Sequence, residues 1–98
     1  MYKITATNQF KKDYKKAKKR GFNIKKLEFI VDVLSKGKEL EPKYKDHSLI
    51  GNYIGYRECH IEPDWLLIYK IQQDMLVLVL ARTGSHSDLF WFFVLCSK

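Results

Sequence analysis

The sequence predicts a single α+β domain: an N-terminal strand, an antiparallel helical hairpin, then a three-strand antiparallel meander with the helices packed on one face of the sheet. Three observations predict it. Two stretches before residue 40 repeat apolar residues at helical spacing, three runs after residue 55 are short and rich in β-branched, aromatic and aliphatic residues, and the connectors carry Gly, Asn and Pro. Ninety-eight residues are enough for one core and too few for two, so residues 1–98 are read as one domain.

Tyr2, Ile4 and Ala6 alternate with Lys3 and Thr5, the pattern of a short half-buried strand. Thr7 or Asn8 can cap the first helix, whose narrow apolar stripe is Phe10, Tyr14 and Ala17 and whose end is Gly21. Its other sides are basic, with Lys11, Lys12, Lys15, Lys16, Lys18, Lys19 and Arg20; part of that clustering also suits the helix dipole. Asn23 caps a second helix with a wider stripe, Ile24, Leu27, Ile30, Val31 and Leu34, closed by Gly37. The connector Gly21-Phe22-Asn23 is short enough to make the two helices an antiparallel pair. Residues 38–55, with Pro42, Gly51 and Gly55, read as a connecting loop carrying Lys45-Asp46-His47-Ser48-Leu49.

Residues 55–69 read as a hairpin turning at Pro63-Asp64. An even-numbered loop pairs Ile61 with Leu66, Cys59 with Ile68, His60 with Leu67 and Glu58 with Tyr69, which collects Tyr56, Glu58, His60, Trp65 and Tyr69 on one face. A three-residue loop reverses that arrangement. Gln72-Gln73-Asp74 then turns the chain into Met75 to Arg82, a continuous apolar run expected to be a central strand covered on both faces. The polar loop Thr83 to Asp88 leads to the apolar tail Leu89 to Leu95, expected to pack on the sheet or on a partner.

The charge is segregated. Residues 1–45 carry 14 Lys/Arg against 5 Asp/Glu, and residues 46–98 carry 4 against 6. A one-sided basic surface draws a polyanion by counterion release, nucleic acid first and an acidic protein segment next. Two cysteines, Cys59 and Cys96, in no zinc-ligand spacing, argue for a reducing compartment without disulfides or structural metal. The start lacks the apolar core of a signal peptide, and the longest apolar run is far short of the ~20 residues that span a bilayer. The protein is therefore expected in the cytoplasm, with no membrane partner.

All three histidines, His47, His60 and His86, lie in the second half beside polar or turn residues. Imidazoles exchange protons near neutrality, and loops and strand ends are where a rigid scaffold displays reactive groups. The meander brings Arg82 and His86 to the edge that holds Asp64 and Trp65, so His60, Asp64, Arg82 and His86 can converge, with His47 reaching in from its loop. Such a set suits one reaction. An RNA 2′-hydroxyl attacks the adjacent phosphate while a base takes its proton, an acid protonates the leaving 5′-oxygen and a cation stabilises the phosphorane charge, without a metal or other cofactor. Trp65 or Phe90 can stack on a base, although both are also ordinary core residues. The histidines lie too far apart in sequence, and too near a guanidinium, to favour a metal site.

Three segments carry a resemblance. Lys45-Asp46-His47-Ser48-Leu49, then Tyr56 to Tyr69 with His60-Ile61-Glu62-Pro63-Asp64-Trp65, then Arg82-Thr83-Gly84-Ser85-His86 through Phe90, resemble the YafQ branch of the RelE-like bacterial toxins. The resemblance covers nearly the whole chain, lysine-rich hairpin included. It implies a ribosome-dependent mRNA endonuclease of a type II toxin–antitoxin system, inhibited by a cognate acidic antitoxin through which the complex binds operator DNA. A non-catalytic RNA- or ribosome-binding inhibitor of translation is the alternative. It further implies His47, His60, Asp64 and His86 as the acid–base set, His86 the acid and the base open among the other three, with Arg82 on the scissile phosphate and Trp65 and Phe90 lining the site. Lys11, Lys15, Lys18 and Lys19 would grip ribosomal RNA or receive the antitoxin. The chain departs from the family at its end, where residues 91–98 add an atypical apolar extension.

Overall fold

A five-stranded mixed sheet carries two helices on one face, in the chain order β1 (Lys3–Ala6), α1 (Asn8–Lys19), α2 (Ile24–Ser35), β2 (His47–Ser48), β3 (Arg57–Glu62), β4 (Trp65–Gln72) and β5 (Val77–Gly84). The computed structural model describes residues 1–89; the expectations for Phe90 and for the tail 91–98 lie outside the described residues. Spatial order is β1-β5-β4-β3-β2, with β1 parallel to β5 and every other pair antiparallel.

The helix starts are set locally. Thr7 caps α1 by accepting from the Phe10 N–H at 3.0 Å, and its hydroxyl donates to the Ala81 carbonyl at 2.9 Å, which ties the helix start to the sheet. Asn23 accepts from the Lys25 N–H to cap α2. Between them Gly21 adopts φ +83°, a left-handed conformation that lets α1 end and the chain reverse.

The core has two parts, one on each face of the sheet. Phe10, Ala17, Leu27, Ile30 and Leu34 of the helices pack on Cys59, Ile61, Trp65, Leu67, Tyr69, Leu78 and Leu80. On the opposite face Leu49, Leu66, Ile68, Ala81 and Leu89 form a smaller cluster beside Tyr53 and Tyr56. That second cluster is the floor on which the polar site stands. Cys59 is fully buried, which pushes its thiol well above the ordinary range and makes it a core residue.

Three expectations are corrected. Residues 38–55 contain a short strand, β2, whose two residues pair with β3 as His47 with Glu58 and Ser48 with Arg57. Two residues reveal no periodicity in a sequence. The fifth strand begins at Val77 rather than Met75, because Met75 and Leu76 belong to the turn and stand 65% and 59% exposed.

The third correction is the hairpin register. Pro63-Asp64 is a two-residue turn with Glu62 opposite Trp65, but a bulge at Ile61 shifts the rest, so His60 faces Leu66, Cys59 faces Leu67 and Glu58 faces Ile68. Trp65 and Tyr69 therefore join the helix face, while Glu58 and His60 join the other. A second bulge sits at Ala81, where Ile68 pairs with Arg82 but Tyr69 with Leu80. Leu78 and Leu80 point toward the helices; strict alternation would send Arg82 after them, and the extra residue turns it to the face of Ile68 instead.

Candidate active site

The sheet register aligns the site. His47 pairs with Glu58, Glu58 with Ile68 and Ile68 with Arg82, forming one row across four strands. His60, Leu66 and Gly84 form the next row, and the chain beyond Gly84 carries His86. The polar groups of both rows rise from the face floored by Leu66 and Ile68.

His47 is held on both sides. Its Nδ1 lies 2.8 Å from the Lys45 carbonyl oxygen, which can only accept, so Nδ1 carries a proton and Nε2 faces Glu58 Oε1 at 3.2 Å. The segment is pinned from below by Asp46, which accepts from Tyr69 Oη at 2.6 Å and from Arg57 Nε at 3.2 Å. Lys45 itself takes φ +52°, a left-handed turn uncommon outside glycine and costing on the order of 1 kcal/mol. That strain aims its carbonyl at the imidazole.

Glu58 is the buried carboxyl between the histidines. Its side chain is 4% exposed; Oε1 lies 3.2 Å from His47 Nε2 and 3.9 Å from His60 Nε2, while Oε2 is buried with no hydrogen-bond partner among the described residues. Burial raises its pKa, and the nearby imidazoles of His47 and His86 oppose that rise. His60 is mostly buried too, and burial followed by the charge of His86 lowers its pKa from 6.5. Its ring stands edge-on to that of His86, with centroids 5.7 Å apart.

His86 is fixed by Asp64 of the hairpin turn. Oδ1 of Asp64 accepts the His86 backbone N–H at 2.9 Å and lies 2.6 Å from Nδ1, which holds a proton on Nδ1 and makes Nε2 the nitrogen that exchanges protons. The two bonds, backbone first, hold the Asp64 carboxyl below its ordinary range. The loop is anchored separately by Asp88, which accepts from Ser85 N–H and from both terminal nitrogens of Arg20, at 2.7 and 3.0 Å. The Arg20 guanidinium pushes that carboxyl strongly down. The anchor brings the basic C-terminal turn of α1 beside the His86 loop.

Arg82 shares the face, but its guanidinium reaches round the outer edge of β5. Pairing with β1 stops at Leu80, and α1 covers the edge beyond it. There Asp13 accepts from Arg82 Nε at 2.9 Å, from Arg82 Nη2 at 3.2 Å and from the Thr83 N–H at 3.2 Å.

Of the residues singled out in the sequence, His47, His60, Asp64 and His86 are joined by direct contacts or through Glu58, and Arg82 stands on the same face. Trp65 does not join them. It is 1% exposed, packs edge-on to Phe22 with ring centroids 4.9 Å apart, and donates from Nε1 to Thr83 Oγ1 at 2.9 Å. A base cannot stack there, and the Ile61 bulge is the reason. Lys11, Lys15, Lys18 and Lys19 are exposed along α1 and make none of the described contacts with the histidines.

Sequence reasoning missed two residues. Glu58 carried a signal, since it lies two residues before His60 on one strand and so must share its face. Asp13 carried another, as a carboxylate inside the apolar stripe of Phe10, Tyr14 and Ala17.

Known proteins share this fold. The sequence model of a family described as the bacterial toxin of type II toxin–antitoxin systems, YafQ, matches residues 2–91. The mRNA interferase toxin YafQ of Escherichia coli is 42% identical over 88 residues, 89% of this chain and 94% of that protein. Among solved structures, a metal-bound toxin from Helicobacter pylori is 46% identical, with a TM-score of 0.86 over 92% of this chain and all of that one. The YafQ chain of the E. coli DinJ–YafQ complex is 41% identical, with a TM-score of 0.83 over 92% of this chain and 99% of that one. The chain belongs to the YafQ family of bacterial toxins of type II toxin–antitoxin systems.

Proposed function

We propose that this protein is an mRNA endoribonuclease acting on message held by the ribosome, and that it cuts by attack of a 2′-hydroxyl on the adjacent phosphate. The observation that carries the reading is the pairing of His60 and His86, two imidazoles 5.7 Å apart between ring centroids on the face that also holds Arg82. The activity named for the E. coli relative at 42% identity agrees with it.

His60 acts as base. Its lowered pKa keeps it neutral at physiological pH, and Glu58 Oε1 near Nε2 gives the departing 2′-proton an acceptor network. His86 acts as acid, giving its Nε2 proton to the leaving 5′-oxygen while Asp64, held ionised, fixes the ring through Nδ1. Arg82 stabilises the charge on the phosphorane oxygens, and its Nη1, which takes no part in the bonds to Asp13, is the atom that reaches the phosphate. His47, whose Nε2 lies 3.2 Å from Glu58 Oε1, positions that carboxyl beside His60. The bond formed is 2′-O–P and the bond broken is P–5′-O, leaving a 2′,3′-cyclic phosphate and a 5′-hydroxyl.

The H. pylori relative was solved with metal bound. Here, among the described residues, no three His, Cys, Asp or Glu groups are placed to hold a metal ion. The complex of E. coli YafQ with DinJ supports a cognate antitoxin for this chain, with the basic face of α1 as its landing surface and operator DNA contacted through the antitoxin. Among the described residues no helix is long and apolar enough to cross a membrane.

The test is a translating extract given the purified protein. Message cut at ribosome-bound positions by the wild type and spared by His86→Ala is the expected outcome. Ribosomes stalled on intact message would make the protein a binder instead.

A further inference from the structure

A groove opens at the edge of the site. β2 covers β3 only at Arg57 and Glu58, so the edge of β3 from Cys59 onward is not paired with β2, and α2 and the turn at residues 42–45 stand on either side of it. The space has a volume of about 560 Å³, within the roughly 300–1,000 Å³ of small-ligand sites and large enough for a nucleotide. His60 lines one end, so the groove begins where the proposed reaction takes place.

The charged part of the lining is almost wholly basic. Lys25 and Lys26 stand on α2, and Lys43 and Lys45 on the facing turn, against a single carboxylate, Glu62, which Lys26 already neutralises at 2.7 Å. Among these cations Phe29 stands 56% exposed on α2, and the Lys43 ammonium lies 5.2 Å from the centroid of the Tyr44 ring. An exposed phenylalanine framed by lysines adds nothing to the core, but it is what single-stranded nucleic acid needs: a flat apolar face for a base, flanked by cations for the phosphates.

We infer that this groove binds the unpaired RNA next to the scissile phosphate, stacking a base on Phe29 and running the sugar-phosphate backbone past Lys25, Lys43 and Lys45. The inference rests on the proposed RNA cleavage and deepens it, by naming the surface that reads the nucleotide beside the cut. The exposed ring of Phe29 and continuity with His60 select RNA over an acidic peptide, which would meet the same lysines without a base to stack. Phe29 and Lys25 lie outside the reacting groups and, being exposed, can be replaced without disturbing the core.

The experiment measures binding of a fluorescein-labelled RNA hexanucleotide by anisotropy, with a 2′-deoxy residue at its centre so that it cannot be cut, over a range of salt. Phe29→Ala should weaken binding about tenfold at constant salt, within the range for loss of one stacking platform. Lys25→Glu should weaken it and flatten the salt dependence, whereas Lys38→Glu, outside the groove, should do less than either. Wild-type affinity and salt slope in both groove variants would overturn the inference. So would retained RNA binding with lost binding of a poly-glutamate peptide, which would assign the groove to a protein partner. Cleavage in the translating extract is scored separately. Wild-type protein that cuts nothing counts against the proposed function, while groove variants that cut the same codons at the same rate, and bind RNA normally, count against the groove alone.

Discussion

The imidazoles of His60 and His86 stand edge to face, 5.7 Å between centroids, and each leans on a different carboxyl: His60 on the buried Glu58, His86 on the exposed Asp64. Burial and the neighbouring imidazole push His60 toward its neutral form, while His86 holds its Nδ1 proton against a carboxylate that stays ionised. On the proposed mechanism, one pair of rings supplies both halves of a proton relay.

Replacing either histidine by alanine should lower cleavage by ~10² to 10⁴, the worth of one positioned acid or base. Single-turnover cleavage on stalled ribosomes measures it, with thermal melts to confirm the fold. A base must be deprotonated to act, and the His60 pKa is lowered, so activity should fall on acidification only below the ordinary histidine value of 6.5. In His60→Ala that acid limb should disappear along with most of the rate.

Asp64→Asn keeps the side-chain shape and removes the charge that orients His86. Its cleavage rate should lie between those of the wild type and His86→Ala, with an unchanged fold, because Asp64 is exposed and anchors a side chain rather than the core.

Glu58 is costly where it sits. Its folded pKa is raised from 4.5, so the native state holds the proton more tightly than the unfolded chain, and the protein loses stability as pH rises from that value through the folded one. Glu58→Gln removes this dependence. The difference in melting temperature between variant and wild type should grow in the variant's favour as pH rises above 4.5, while its cleavage falls, a trade of stability for function.

Asp13 fastens Arg82 and the Thr83 N–H to α1, and its carboxylate is 8% exposed. Asp13→Ala leaves a partly buried guanidinium and a buried N–H without their acceptor, a loss of ~2–4 kcal/mol in urea unfolding. Asp13→Asn should lose less stability, yet still slow cleavage by releasing Arg82.

Trp65→Phe separates core packing from base stacking. The indole N–H to Thr83 and part of the packing on Phe22 are lost, so the fold should weaken by ~1–2 kcal/mol while RNA affinity stays at the wild-type value. Lost affinity with full stability would contradict the burial of this side chain.

The fold was legible where periodicity was long. Phe10 to Ala17 and Ile24 to Leu34 marked two helices, Thr7 or Asn8 and Asn23 marked their starts, with Thr7 the cap that forms, and Pro63-Asp64 marked the turn. What escaped were single-residue events. The bulge at Ile61 sent Trp65 into the core, the bulge at Ala81 turned Arg82 outward, and β2 is two residues long. None leaves a pattern in composition, because each depends on how strands from distant parts of the chain settle against one another. The candidate site was legible through its histidines and Asp64, since reactive side chains at turns stand out. Glu58 and Asp13 did not stand out, because a charged residue inside an element is ordinarily a solvated one.

The chemistry of the cut ends tests the central claim most directly. Message cleaved by the wild type on ribosomes in excess chelator, then analysed by mass spectrometry, should carry a 2′,3′-cyclic phosphate on the upstream fragment and a 5′-hydroxyl on the downstream one. A 3′-hydroxyl with a 5′-phosphate, or cleavage that stops when metal is removed, would contradict 2′-hydroxyl attack driven by His60 and His86.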